Sequence, residues 1–141
     1  MTSGARILVV DDHASVREAV RNFLENVMPF TVCGEADNGT TAIQMARRLQ
    51  PDVIVLDLAL PRMNGVEVAT VLRSDLPHVK IVAFSMYVEE LGKAVASAAH
   101  INAMLPKAAG LRALAETIRR LLDVQLPTYP PSGSCPETRP E

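Results

Sequence analysis

Four places in the chain put a chemically capable polar residue at the end of an apolar run. Ile7–Val10 runs into Asp11 and Asp12, Val53–Leu56 into Asp57, and Val79–Phe84 into Ser85; a shorter run, Ile101–Leu105, leads through Pro106 to Lys107. If these ends meet, three carboxylates, a hydroxyl and an ammonium converge on one small crevice. Clustered carboxylates repel, and at least one of them holds its proton more tightly unless a cation is present. A hard divalent ion removes that repulsion, and Mg2+ favours few carboxylates together with water and phosphate oxygens. Lys107 then faces either Asp57 or an anion attached to it. Taken singly, each residue has a plainer role. Asp12 suits a helix cap, Asp57 and Ser85 suit the first position of a loop, and a lone lysine is usually a surface residue. The set of them at strand ends favours a common site.

The elements that would gather these residues follow from periodicity. Ile7–Val10 and Val53–Leu56 are apolar on both faces, as buried parallel strands require. Thr31–Ala36, Val79–Phe84 and Ile101–Leu105 complete five strands. Between them, Val16, Ala19/Val20, Phe23/Leu24 and Val27 have the spacing of an amphipathic helix. Ile43, Ala46 and Leu49 mark a second helix after the turn or cap at Asn38-Gly39, and Pro51 stops it. Asn64 is placed to cap a third carrying Val68, Val71 and Leu72, stopped by Pro77. A weaker pattern covers Glu89–Ala99, and Leu111, Leu114/Ala115, Ile118 and Leu121/Leu122 give a clean last helix. Alternating strands and helices imply right-handed crossovers and a doubly wound α/β sheet. In the order 2-1-3-4-5, strands 1, 3, 4 and 5 are consecutive neighbours about 5 Å apart. Their polar ends then share the carboxyl edge, where open α/β sheets bind ligands. Pro106 cannot donate to a ladder, so the fifth strand is expected at an edge.

Composition narrows the function classes. The 141 residues carry a formal charge of −2, which argues against a free-standing nucleic-acid binder. Five aromatic residues (Phe 3, Tyr 2, Trp 0) leave little for base stacking or aromatic cages. Cys33 and Cys135 form no disulfide framework, and no apolar run reaches the ~18 residues of a membrane span. A soluble, cytoplasmic chain with no membrane contact is expected. Five of the ten prolines fall in residues 124–141, which reads as a disordered tail or linker behind a domain of residues 1–123, with the folded body at 5–123.

Asp11-Asp12, the stretch from Asp57 through Ala59 and Pro61 to Gly65, Ser85 and Lys107 together resemble the receiver (CheY-like) domain of bacterial two-component response regulators. The run Ile81–Met86 is most similar to the NarL/FixJ class. The resemblance implies a flavodoxin/CheY-like fold. It implies that Asp57 accepts a phosphoryl group from a phosphohistidine on a sensor histidine kinase. Mg2+ would be held by Asp12, Asp57 and the backbone carbonyl of Ala59, with Asp11 acting through water. Lys107 would pair with the phosphoryl oxygens, and Ser85 would turn its hydroxyl toward them. Such a domain is a signalling part rather than an enzyme, assisting its own phosphotransfer and slow dephosphorylation. It would switch a partner or a transcriptional output domain, and homodimerisation through the receiver is a further expectation. Pro61 and Gly65 would shape the loop after Asp57. The departures are Met104, where the family carries Tyr, Phe or His; His100, Ile101 and Ala103 in place of small residues; Pro106 before Lys107; and Met86 after Ser85.

Two other classes fit the same residues. A receiver-like adaptor would work without phosphorylation, as Met104 and His100 suggest, and a Mg2+-dependent phosphatase would use a similar sheet. Other signals carry less. Gly34–Thr41 has the glycine spacing of a P-loop but lacks its lysine. Ser85 has no G-x-S-x-G elbow. His13, His78 and His100 lack paired-ligand spacing and read as exposed or structural.

Overall fold

The computed structural model describes residues 4–86 and 100–125. The expected helix at Glu89–Ala99 and residues 126–141 lie outside that range, as does Cys135. Five strands, β1 (Ala5–Val10), β2 (Phe30–Ala36), β3 (Val53–Leu56), β4 (Lys80–Ser85) and β5 (Ala103–Pro106), form one parallel sheet in the order 2-1-3-4-5. The helices are α1 (Ala14–Val27), α2 (Gly39–Leu49), α3 (Gly65–Asp75) and α4 (Leu111–Gln125). Pro106 is the last residue of edge strand β5, where its missing N–H leaves no gap in the ladder. No helix among the described residues is long and apolar enough to cross a membrane.

The period of two in each central strand divides the core. Leu8, Val10, Ile54, Leu56, Ile81 and Ala83 point to one face and pack against Ala42, Ile43 and Ala46 of α2 and Val68, Ala69 and Leu72 of α3. Ile7, Val9, Val53, Val55, Val82 and Phe84 point to the other, against Val20 and Leu24 of α1 and Leu114, Ala115 and Ile118 of α4. Burial on both faces is why these strands read as unbroken apolar runs. Asn38 and Asn64 cap α2 and α3, accepting from the N–H groups of Thr41 (2.9 Å) and Glu67 (3.0 Å).

Three details depart from the sequence reading. Val27 continues the stripe of α1 yet is 45% exposed, because the helix ends there and the chain turns into extended backbone at Met28. In β2 the register slips past Cys33, from Ile7↔Val32 to Leu8↔Gly34. The bulge sets Gly34 against α2, where an added Cβ would meet Met45 Cε at 2.7 Å and Leu49 Cδ1 at 2.9 Å. Last, α4 runs to Gln125, two residues past the expected boundary at 123. The apolar pattern fades at Val124, but the first proline, the physical helix breaker, stands only at Pro127.

Arg73 bolts α3 to the start of β5. Its guanidinium donates to the carbonyls of Pro77 (3.0 Å), Val79 (2.7 Å) and His100 (2.9 Å) and to Asn102 Oδ1 (2.8 Å). Asn102 Oδ1 also accepts from the Ile81 N–H at 2.8 Å, and the Asn102 N–H donates to the Ile81 carbonyl at 2.9 Å. Replacing Arg73 by Met keeps the aliphatic stem and removes every donor. We expect a loss of about 2 kcal/mol, read as a fall of roughly 7 °C in the thermal midpoint. A midpoint within about 2 °C of the parent would show that water takes over these acceptors at little cost.

Candidate functional site

Backbone pairing brings the strand ends level. Val10 pairs with Leu56 and Leu56 with Ala83, so Asp11 and Asp57 emerge side by side. The Asp57 N–H donates to the Val10 carbonyl (2.9 Å) and the Asp11 N–H to the Ala36 carbonyl (3.0 Å), which fixes where both side chains begin. Ser85 pairs with Pro106, and Lys107 opens a short 3-10 turn, Lys107–Ala109, that follows β5. Asp11, Asp57 and Ser85 are buried, and Lys107 is largely so. The structure therefore gathers the polar strand ends at the carboxyl edge as expected.

Asp11 and Asp57 each have both oxygens engaged, and Asp12 differs from them. In Asp11, Oδ1 accepts from the His13 N–H at 2.8 Å, and Oδ2 meets Lys107 Nζ at 2.7 Å. In Asp57, Oδ1 accepts from the Ala59 N–H at 3.0 Å and Oδ2 lies 3.2 Å from Lys107 Nζ. Asp12 is a third exposed and does not cap α1; the N-cap position belongs to His13, whose side chain makes no capping bond. Lys107 thus bridges Asp11 and Asp57 with one ammonium. Burial is the largest single influence on Lys107 and pulls its pKa down, but the hydrogen bonds and charges of Asp11 and Asp57 together outweigh it, and the net direction is up.

Donor atoms of Asp11, Asp12, His13 and Asp57 all lie within 4.8 Å of one another. Three carboxylates about one point, with Asp12 open to solvent, are the donor chemistry a small hard cation takes while keeping several waters. His13 is exposed, as its spacing suggested, and its ring lies beside these acids, with Nδ1 3.0 Å from Asp12 Oδ1 and 3.3 Å from Asp11 Oδ1. His78 and His100 are exposed and join no such group among the described residues.

Supporting residues surround the acids. Arg17 donates to the Asp11 carbonyl at 2.7 Å and is itself held by Glu35 at 3.1 Å, which also binds Arg21 at 2.7 Å. Sequence reasoning missed Arg17 because its partners lie just past the end of β1 and on β2 rather than at helical spacing. After Asp57, Arg62 adopts a left-handed φ of 69° and the Met63 N–H reaches the Pro61 carbonyl at 2.7 Å, while the Gly65 N–H returns to the Leu58 carbonyl at 2.9 Å. This closed loop sets Ala59 against Asp57. Met104, on β5, is half-buried against the α2/α3 side of the core.

Comparison with known proteins agrees with this geometry. The family model described as the response regulator receiver domain matches residues 7–119. The response regulator protein VraR of Staphylococcus saprophyticus is 33% identical over 115 residues, which are 82% of this chain and 55% of that protein. The chain thus spans about half the length of the curated relatives it matches. Among solved structures, a LuxR-family two-component response regulator from Aurantimonas superposes with a TM-score of 0.81 at 30% identity, covering 91% of each chain. The signal receiver domain of a NarL response regulator from Mycobacterium tuberculosis gives 0.75 at 28% identity, over 86% of this chain and 98% of that one. These relatives agree with the class expected from Ile81–Met86, and this chain belongs to the response regulator receiver domain family.

Proposed function

We propose that the chain is a phosphoacceptor, and that Asp57 takes a phosphoryl group from a phosphohistidine on a sensor histidine kinase. An Asp57 carboxylate oxygen attacks phosphorus, the P–N bond breaks, and its electron pair returns to the departing imidazole, which takes up a proton. Such transfer depends mainly on positioning and on neutralising charge. The observation that carries the reading is the setting of Asp57: buried, oriented by the Ala59 N–H at 3.0 Å, and faced by Lys107 at 3.2 Å beside two further carboxylates. Mg2+, when bound, would supply neutralisation of the negative charge gathered at Asp57 during the transfer. Asp12, Asp57 and the Ala59 carbonyl are the residues to hold it. Lys107 Nζ lies closer to Asp11 (2.7 Å) than to Asp57 (3.2 Å), which suits Asp11 to contact with the ion through water. Ser85 and Lys107 then receive the phosphoryl oxygens. Slow hydrolysis returns the domain to rest, and the signal passes to a transcriptional output domain or partner, with homodimerisation through the receiver as one route.

The test is incubation with Mg2+ and acetyl phosphate followed by intact mass. One labile phosphoryl adduct is expected on the parent and none on Asp57→Asn, with the fold of the variant checked by circular dichroism. An adduct that persists on Asp57→Asn moves the acceptor to Asp11 or Asp12. A folded parent that takes no adduct favours the phosphorylation-independent adaptor. Sustained phosphate release favours a phosphatase.

A further inference from the structure

Arg17 is a largely buried cation on the first turn of α1 that has no part in the chemistry above. Its guanidinium reaches two places at once. Nη1 donates to the Asp11 backbone carbonyl at 2.7 Å, and Nε donates to Glu35 Oε1 at 3.1 Å. The other oxygen of Glu35 is taken by Arg21 at 2.7 Å. Glu35 stands on β2 opposite Val9, one step before Ala36, whose carbonyl accepts the Asp11 N–H. Asp11 is therefore held from both of its peptide groups. The residue is buried, so its carbonyl needs a donor inside the protein. A guanidinium suits the task, because its rigid planar fork aims one N–H at the carbonyl and another at Glu35, whereas an ammonium is a point charge on a flexible stem.

That carbonyl belongs to the peptide that leads into Asp12. A peptide unit is planar, so fixing its oxygen also fixes its N–H and the direction in which the next Cα leaves. Asp12 depends on this more than its neighbours do. Its side chain is a third exposed and meets the exposed His13 ring at 3.0 Å, whereas the Asp11 and Asp57 side chains are both pinned by Lys107. We infer that Arg17 is a positioning residue for the phosphotransfer: held by Glu35, it sets the Asp11–Asp12 peptide and so aims the Asp12 carboxylate toward Asp57. It touches none of the reacting atoms. The inference rests on the reading of Asp57 as phosphoacceptor and of Asp12 as a holder of Mg2+. Charge and position predict opposite signs for the loss of Arg17. A nearby cation repels Mg2+, so by charge alone its removal tightens the ion. Losing a group that orients a metal ligand weakens binding, typically about 10–100-fold. A role confined to stability lowers the thermal midpoint and leaves the affinity of the folded protein unchanged.

The test compares Arg17→Met with Arg21→Met on the full chain by calorimetric titration of Mg2+, with folding checked by circular dichroism. Both variants take one positive charge from the same glutamate, but only Arg17 reaches Asp11. Mg2+ affinity is expected to fall about tenfold in Arg17→Met and to hold in Arg21→Met. Adduct formation from acetyl phosphate should likewise need about tenfold more Mg2+ in Arg17→Met alone. Metal-free carbon-13 and nitrogen-15 spectra supply a readout independent of the ion: the Asp11 carbonyl and Asp12 amide resonances move in Arg17→Met and stay in place in Arg21→Met. Arg17→Lys keeps the charge without the fork and should fall between parent and Arg17→Met. It carries the comparison should Arg17→Met not fold, and an affinity equal to the parent's then overturns the proposal. An affinity in folded Arg17→Met that matches or exceeds the parent's overturns it too, as does an equal loss in Arg21→Met. With Mg2+ binding and the Asp57 adduct intact in the parent, those results remove this inference alone. A parent that shows neither removes the reading beneath it, and this inference with it.

Discussion

Gly65→Ala is expected to cost about 3 kcal/mol or more and to lower the thermal midpoint by roughly 10 °C. Gly65 is the first residue of α3, directly after the loop that follows Asp57. An ideal Cβ there would lie 2.4 Å from Leu58 Cα, 2.8 Å from the Asp57 carbonyl oxygen and 2.9 Å from Leu58 Cδ2. The two nearest atoms are backbone, so no rotamer change relieves the overlap. Either α3 lifts away or Asp57 and Leu58 move, and the second outcome displaces the carboxylate on which the site depends. Gly39→Ala is the matched control, since Gly39 is the first residue of α2. Its Cβ would meet Val68 Cγ2 at 2.6 Å and Met63 Sδ at 3.0 Å, both in side chains. Met63 is adaptable, but Val68 is branched and fully buried and must shift, so a cost of about 2 kcal/mol is expected at Gly39, below that at Gly65 where backbone blocks the way. Denaturant melts of both variants decide the point, because equal losses would place the constraint in helix starts generally and not in the backbone behind Asp57.

The contrast between these glycines also marks where sequence reading succeeds and stops. The core strands were legible because burial on two faces demands consecutive apolar residues, and Ile7–Val10 and Val53–Leu56 are apolar at every position. The site acids were legible because each ends such a run, and parallel pairing puts all the ends on one edge. What stayed hidden depends on contacts between residues distant in the chain. Nothing local marks Gly65 as touching Leu58 Cα more severely than Gly39 touches Val68. Arg73 and Asn102 read as ordinary surface residues, although together they tie α3, β4 and β5. The contacts of the His13 ring with Asp11 and Asp12 depend on how the chain turns after β1, which no spacing of histidines reveals. Lys107 was legible as a strand-end cation, but its closer approach to Asp11 than to Asp57 was not.

Under the proposed function, that last geometry would set Lys107 against the cation as well as beside the phosphoryl group. Its ammonium lies 2.7 Å from Asp11 Oδ2 and 3.2 Å from Asp57 Oδ2, and both carboxylates are only 4% exposed. Lys107→Met leaves two nearly buried acids facing each other, and in the presence of a chelator a loss of about 2 kcal/mol is expected. Added Mg2+ should then stabilise the variant more than the parent, because the ion no longer displaces an ammonium from Asp57 before binding, and binding to the native state alone raises stability. Under the proposed function, adduct formation from acetyl phosphate should nevertheless slow, since the charge proposed to face the phosphoryl oxygens has gone. The pH dependence has a definite sign. The acids hold the folded-state pKa of Lys107 above its ordinary value despite burial. Its contribution is therefore complete below the unfolded pKa of about 10.4 and is lost as pH rises through the folded value. Parent and variant stabilities in chelator should stay apart through neutral and mildly alkaline pH and converge only above about pH 10.4. Thermal melts across Mg2+ concentration and pH test both statements. A variant that responds to Mg2+ no more than the parent, or a gap that closes near neutral pH, would show that Lys107 does not hold the carboxylates the ion must take.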